Sequence, residues 1–378
     1  MKKILIIHNK YKNFGGEDSN ILDEINFLKH NFVVGYLEYD NSERLNLSDL
    51  FGFLFGSSYK ANKRLILKIN DFKPDVVYIH NTWFKANLGI FKVLKSMDIK
   101  IILKIHNFRF YCTRTLLNKT HFEGKNYCPK CGNKNRKFSL INKYFQDSYF
   151  KSLFVTLYGR KYYKILVNSP IKIFVLNEFY KNFMIQNGID KNKITVSYNP
   201  IQLKEKVNYN VNSDYVVYAG TIIEQKGVNE MIDSFLKANL NLKLLIIGEG
   251  NQLFDLKEKY ADNSIEFLGF KNHEDVLNYI ENARCVITAT KMFEGQPRIL
   301  IEASKYGVPS IFPSYGGMNE YFPKNYKLSF EQFNYEDLVK KIKLINNKDF
   351  LNLESQKIQD NIKTLLDEKL ILKDFENY

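Results

Sequence analysis

Two glutamates separated by seven residues, Glu294 and Glu302 in the run FEGQPRILIEA (293–303), carry the sharpest chemical signal in this 378-residue chain. Glu294 falls on a loop that follows a strand-like run, and Glu302 falls inside the helix that Pro297 and Arg298 open. A carboxylate accepts hydrogen bonds from hydroxyls in bidentate fashion, so the pair suits a sugar and a ribose. The free N–H groups at the helix start between them, around Gly295, Gln296, Pro297 and Arg298, suit a phosphate. A surface helix explains the same pair equally well when it is taken alone. A second loop, Gly220 to Gly227 (GTIIEQKG), also joins a strand to a helix, with Thr221 after its first glycine and Lys226 before its last. It fails the P-loop order, yet a lysine there can neutralise a diphosphate. A third loop, Asn9 to Asn20, places Gly15 and Gly16 just before an acidic-capped helix. Paired glycines let backbone approach a ligand closely, but no G-x-G-x-x-G is present, which excludes a dinucleotide fingerprint.

Three of the four cysteines, Cys112, Cys128 and Cys131, share one segment after His106. Cys128-Pro129-Lys130-Cys131-Gly132 has the knuckle form of half a zinc ribbon, so the segment is a candidate structural zinc site with His121 or His106 as fourth ligand. A reduced loop without metal is the competing reading. Cys285 lies inside a strand-like run and reads as core. His8, His80 and His273 fall at strand ends or a helix start, where they could line a cleft but read first as polar edge residues, and His30 reads as a helix C-terminal cap.

The elements that must position these residues alternate from end to end, as in parallel sheets covered by helices. Strands are expected at Lys3–His8, Phe32–Tyr39, Asp75–His80, Lys100–His106, Lys172–Asn177 and Ile194–Tyr198, most with a polar residue at the carboxyl end, where open α/β sheets place ligands. After an aperiodic stretch the pattern restarts with strands at Tyr215–Ala219, Leu242–Ile247, Ser264–Phe267, Cys285–Thr290 and Val308–Phe312. The expected division is therefore an α/β domain over 1–200, a linker over 201–213, a second doubly wound domain over 214–345 and a helical segment over 346–378 that packs back toward the first domain.

Composition narrows the class. With 45% hydrophobic and 15% aromatic residues the chain can build two cores, which excludes a disordered or fibrous protein. Neither a secretory signal nor a run of roughly 18–20 apolar residues is found, so a cytoplasmic chain with at most peripheral membrane contact is expected. Charge is segregated: residues 1–200 hold 33 Lys and Arg against 15 Asp and Glu, whereas the remainder holds 22 against 26. Only eight of the basic residues are arginine, so coding bias explains abundant lysine but not its placement in one half. A positive field of this kind attracts anionic membrane, a lipid-linked phosphate or nucleic acid. Tyrosines interleaved with lysines in the same half, among them Tyr149, Tyr158 and Tyr162, suit a membrane interface.

Taken in order along two Rossmann-like halves, Gly15-Gly16, His106, Gly220 to Gly227 and Glu294 to Glu302 resemble the retaining glycosyltransferases of family four, over essentially the whole chain. The resemblance implies the GT-B fold, with two doubly wound domains facing each other across a cleft. It implies that the basic first domain binds the acceptor and the second a nucleotide-sugar donor. Glu294 would bind hydroxyls of the transferred sugar, Glu302 the ribose and Lys226 the diphosphate. The amides around Gly295 to Arg298 and the Gly16 loop would complete the phosphate cradle, and His106 would lie beside the reacting sugar. No cofactor is required for catalysis. The acceptor would be a glycan, expected to be lipid-linked, at the inner face of the membrane, in the manner of bacterial cell-surface polysaccharide, lipopolysaccharide or capsule assembly. Two positions depart from the pattern. Thr221 stands where an arginine is common, leaving Arg109 or Arg298 to supply that diphosphate contact, and Gln296-Pro297 replaces a Phe-Gly. The competing readings are a nucleotide-sugar epimerase or phosphorylase on the same fold, and a nucleic-acid binder, which the glutamate pair in an acidic domain disfavours.

Overall fold

Runs rich in Ile, Val and Phe bury both faces when they form parallel strands, and helices must then cover the sheet. The computed structural model describes residues 1–10, 16–42, 52, 55–107, 148–201 and 209–378. The chain splits into two units, Met1–Gln202 with Glu368–Tyr378, and Leu203–Asp367.

In the first unit the order is β1 (Lys3–Lys10), α1 (Gly16–Lys29), β2 (Val33–Asp40), α2 (Tyr59–Phe72), β3 (Val76–Ile79), α3 (Gly89–Ser96), β4 (Lys100–Ile105), α4 (Tyr149–Asn168), β5 (Lys172–Val175), α5 (Glu178–Gln186) and β6 (Ile194–Val196). The strands pair in parallel in the order β2-β1-β3-β4-β5-β6. Helix α2 shows why these segments coil: Ser58 caps its start by accepting from the Ala61 N–H, and Ala61, Leu65 and Ile69, each four residues on, form its buried stripe. α4 and α5 start on Ser148 and Asn177 in the same way. Ile4, Ile6, Ile25, Leu28, Tyr78 and Phe174 form the core on one side of the sheet.

The second unit runs β7 (Tyr215–Ala219), α6 (Val228–Ala238), β8 (Lys243–Ile247), α7 (Leu253–Lys259), β9 (Ile265–Gly269), α8 (His273–Glu281), β10 (Cys285–Ile287), α9 (Arg298–Lys305), β11 (Ser310–Pro313), β12 (Ser329–Phe330), α10 (Tyr335–Leu344) and α11 (Lys348–Leu365). Its strand order is β12-β11-β10-β7-β8-β9. From β7 the chain moves outward one way through β8 and β9, then returns beside β7 at β10 and continues the other way. The carboxyl ends of β7 and β10 therefore form a topological switch point, where α/β sheets bind ligands.

The last helix, α12 (Glu368–Glu376), belongs to the first unit. Its Ile371 and Phe375 enter that unit's core, with the Phe375 ring 5.1 Å from Tyr78 and 5.4 Å from Phe174, both edge-on. Among the described residues no helix is long and apolar enough to cross a membrane.

Candidate functional site

Two groups of polar side chains sit at the carboxyl ends of strands, one in each unit. In the second unit the chain leaves β7 through a 3-10 turn, Glu224–Lys226, and enters α6 at Gly227. Gly227 has φ of 65°, and a Cβ placed there would lie 2.1 Å from the Ala289 carbonyl oxygen. Glycine alone lets this loop lie against the one that follows β10. The Lys291 N–H donates to the Gln225 carbonyl at 2.9 Å, which ties the two loops together. Across the junction Lys226 Nζ donates to Glu294 Oε1 at 2.5 Å, and Thr290 Oγ1 donates to the same oxygen at 3.1 Å. Both charged side chains are about one-quarter exposed, so solvent and ligand can reach them.

Glu302 is different, because its side chain is fully buried. Arg298 Nε donates to Oε1 at 2.7 Å from one turn earlier in α9, and His273 Nε2 lies 3.0 Å from the same oxygen. Oε2 has no hydrogen-bond partner. A buried carboxylate with one oxygen secured and the other open is costly unless a donor arrives, which makes it a strong acceptor for a hydroxyl. Arg298 is thereby directed to Glu302 and, through Nη2 at 3.2 Å, to His273.

The remaining expected residues fall as follows. Thr221 is exposed beside the loop, and its carbonyl accepts from Tyr218 Oη at 3.0 Å. The Gly295 carbonyl accepts from Tyr321 Oη at 3.1 Å, Gln296 is buried, and Pro297 caps α9. Gly16 opens α1. Gly15, Arg109, His121, Cys112, Cys128 and Cys131 lie outside the described residues. Among the described residues no cluster of three or more His, Cys, Asp or Glu could hold a metal.

Residues 201–364 match the family of group 1 glycosyl transferases. That match spans nearly all of the second unit, Leu203–Asp367. Among curated relatives, an uncharacterized glycosyltransferase of Methanocaldococcus jannaschii is 28% identical over 197 residues, covering 50% of this chain and 54% of that protein. A capsular polysaccharide biosynthesis glycosyltransferase of Staphylococcus aureus is 28% identical over 41% of this chain and 48% of its own length. The chain thus spans about half the length of these relatives. The solved structure of Anabaena HepE in complex with UDP-glucose superposes with a TM-score of 0.70 at 14% identity, covering 100% of this chain and 99% of that one. The fold that both units share with such structures is GT-B.

The first unit holds the second polar group, deeper than the sequence suggests. His106, just past β4, bonds through Nε2 to His80 Nδ1 at 2.9 Å, and both lie beside Thr82, Trp83, Asn107, Tyr158 and Tyr162 around a cavity of about 30 Å³. His80 is not an edge residue, since its side chain is fully buried. Below it, Glu24 Oε1 accepts from Lys104 Nζ at 2.9 Å and from Tyr78 Oη at 2.7 Å. His8 Nε2 meets Asp18 Oδ1 at 2.8 Å. Burial holds both His80 and His106 well below the usual imidazole range, and the Lys104 ammonium adds to the effect. Burial also lowers Lys104, against the pull of Glu24. One signal for this cluster stood in the sequence: Ile-His-Asn occurs at 7–9, 79–81 and 105–107. These tripeptides end β1, β3 and β4, which are adjacent in the sheet.

Proposed function

We propose that this chain is a retaining glycosyltransferase that moves a sugar from a UDP- or GDP-sugar to a glycan acceptor, lipid-linked, in cell-surface polysaccharide assembly. The observation that carries the proposal is the unpartnered Oε2 of buried Glu302 in α9, together with the Lys226–Glu294 pair in the loops before α6 and α9, at the switch point of a domain that matches the group 1 glycosyl transferases. A ribose hydroxyl donating to Oε2 would give that buried oxygen the hydrogen-bond partner it lacks. A diphosphate would draw Lys226 from Glu294 and release that carboxylate for hydroxyls of the sugar. The N–H groups opening α9 and the Lys226 ammonium would neutralise charge on the leaving diphosphate without calling on a metal, and a leaving-phosphate oxygen could accept the acceptor's proton as attack proceeds on the same face.

HepE was solved with UDP-glucose, and an Escherichia coli relative, 28% identical over 41% of this chain, is named as acting on a diphosphoundecaprenol-linked acceptor. Both support the donor and acceptor classes. Peripheral attachment to an anionic membrane rests on the basic first half and on Tyr149 and Phe150, exposed at the start of α4 beside Lys151. A structural zinc on Cys112, Cys128 and Cys131 rests on their spacing, and one equivalent of zinc in the purified chain is its test.

A thermal-shift panel of UDP, GDP, ADP and CMP with their sugars tests the donor assignment, since a ligand bound only to the native state raises the melting temperature. One nucleotide series stabilises the chain, and Glu302→Ala abolishes the shift. No shift with any nucleotide, or release of an isomerised nucleotide sugar without acceptor, overturns the proposal.

A further inference from the structure

The buried group beneath His106 forms a directional chain. His80 Nε2 and Glu24 Oε2 face each other at 3.8 Å, and neither atom has a hydrogen-bond partner. Both side chains are fully buried. The other nitrogen of His80 bonds to His106 Nε2 at 2.9 Å, with the rings within 17° of parallel. His106 Nδ1 is buried and also has no partner. Only two neutral arrangements fit one proton in the shared bond. In the first, His80 carries its proton on Nε2, toward Glu24, so that its Nδ1 accepts from His106 Nε2–H and His106 Nδ1 is bare. In the second, every proton moves to the opposite nitrogen, and a bare His80 Nε2 faces a carboxylate oxygen across 3.8 Å, with both side chains fully buried. Opposed lone pairs between fully buried groups are disfavoured, whereas an N–H facing a carboxylate is favoured.

We infer that Glu24 and His80 are positioning residues that hold His106 in one tautomer, with Nε2 protonated and Nδ1 kept as a bare acceptor for a ligand hydroxyl. The cavity beside the His80–His106 pair has room for about one water or one hydroxyl. The identity of that hydroxyl as one on the transferred sugar rests on the proposed function; the tautomer does not. Lys104 and Tyr78 contribute by both donating to Glu24 Oε1, which leaves Oε2 to face His80.

The test is a long-range proton–nitrogen correlation spectrum of the full chain with labelled histidine, which separates bare from protonated ring nitrogens. The chain has six histidines, and His80→Asn and His106→Gln assign the two that matter. Both rings are expected in the Nε2–H form at neutral pH; a protonated Nδ1 on His106 overturns the inference. Glu24→Gln is the decisive variant. Lys104 and Tyr78 retain the amide oxygen at the Oε1 position, so the amide N–H points at His80 Nε2, and both rings should invert. Unchanged tautomers there remove Glu24 from the chain of control. Should that variant not fold, His80→Asn serves, because its amide oxygen can accept where Nδ1 did and keep His106 Nε2–H, whereas His80→Leu lets His106 sample both forms. A fixed His106 tautomer in His80→Leu overturns the role of His80. Finally, UDP-glucose and UDP, or the pair selected by thermal shift, are added to the native chain. Movement of the His106 Nδ1 resonance with the nucleotide sugar only is expected; no movement leaves the tautomer control standing and removes His106 from sugar contact.

Discussion

Glu294 and Glu302 share a helix entrance yet live in different dielectric surroundings, and their chemistry differs accordingly. Glu294, partly exposed, is neutralised by Lys226, and in the proposed function a ligand's phosphate would draw that lysine away, so the pair would act as a latch rather than as a stabilising contact. Exposed pairs of this kind contribute about 0–1 kcal/mol to folding. Lys226→Ala and Glu294→Ala should therefore each lower transfer by roughly 100-fold or more while the melting temperature hardly moves. Native transfer rates in either variant would remove the pair from the site. The sequence displayed both residues because their types and spacing are unusual at a strand-to-helix junction. It offered His273 only as a polar residue at a helix start and did not show that it reaches Glu302 from α8, twenty-nine positions earlier in the chain. Nor did it show that Arg298 serves the glutamate, because the choice between a diphosphate and a carboxylate partner depends on where α8 packs.

At the scale of elements, the switch point exists because loops after β7 and β10 lie in backbone contact. Gly227→Ala would press a methyl group into the Ala289 carbonyl at a positive φ. The expected cost is roughly 2–5 kcal/mol, read as a lowered urea midpoint together with loss of the nucleotide-induced thermal shift. Strand positions were legible to within three residues at either end, since parallel strands are apolar on both faces; β7 was expected and found at Tyr215–Ala219, whereas β10 stops at Ile287, three residues short of the expected Thr290. β12 escaped notice because two residues, Ser329–Phe330, carry no period. His80, at the end of β3, reads as an edge residue because adjacency of strands, not local sequence, buries it, whereas His106, at the end of β4, is singled out by the resemblance as a site residue. Their burial carries a pH signature. The unfolded chain binds protons below about pH 6.5 while buried neutral His80 and His106 do not, so stability falls as pH drops through that value, by up to about 1.4 kcal/mol per unit for each ring. Urea titrations at pH 7.5, 6.5 and 5.5 check this, and the pH slope should shrink in His80→Asn.

At the scale of the whole molecule, alternating elements announced two doubly wound units, and the glycosyl transferase family match over residues 201–364 agrees with the second. The division at the C-terminus was less visible. A helical period says that a segment buries a stripe but not which core receives it, and the two helices of the tail separate, with α11 in the second unit and α12 in the first. Phe375 fills the space among Phe32, Tyr78 and Phe174. Phe375→Ala should cost about 3–5 kcal/mol, seen as an early unfolding transition of the first unit, while nucleotide binding by the second persists. The position of α12 also sets an order of events during translation. All of residues 203–367 emerge before the helix that completes the first unit's core. At ordinary elongation rates that interval is on the order of 10–30 s. Throughout it the aromatic seat of Phe375 stands open on a nascent chain, available to a chaperone, while the second unit is free to finish folding first.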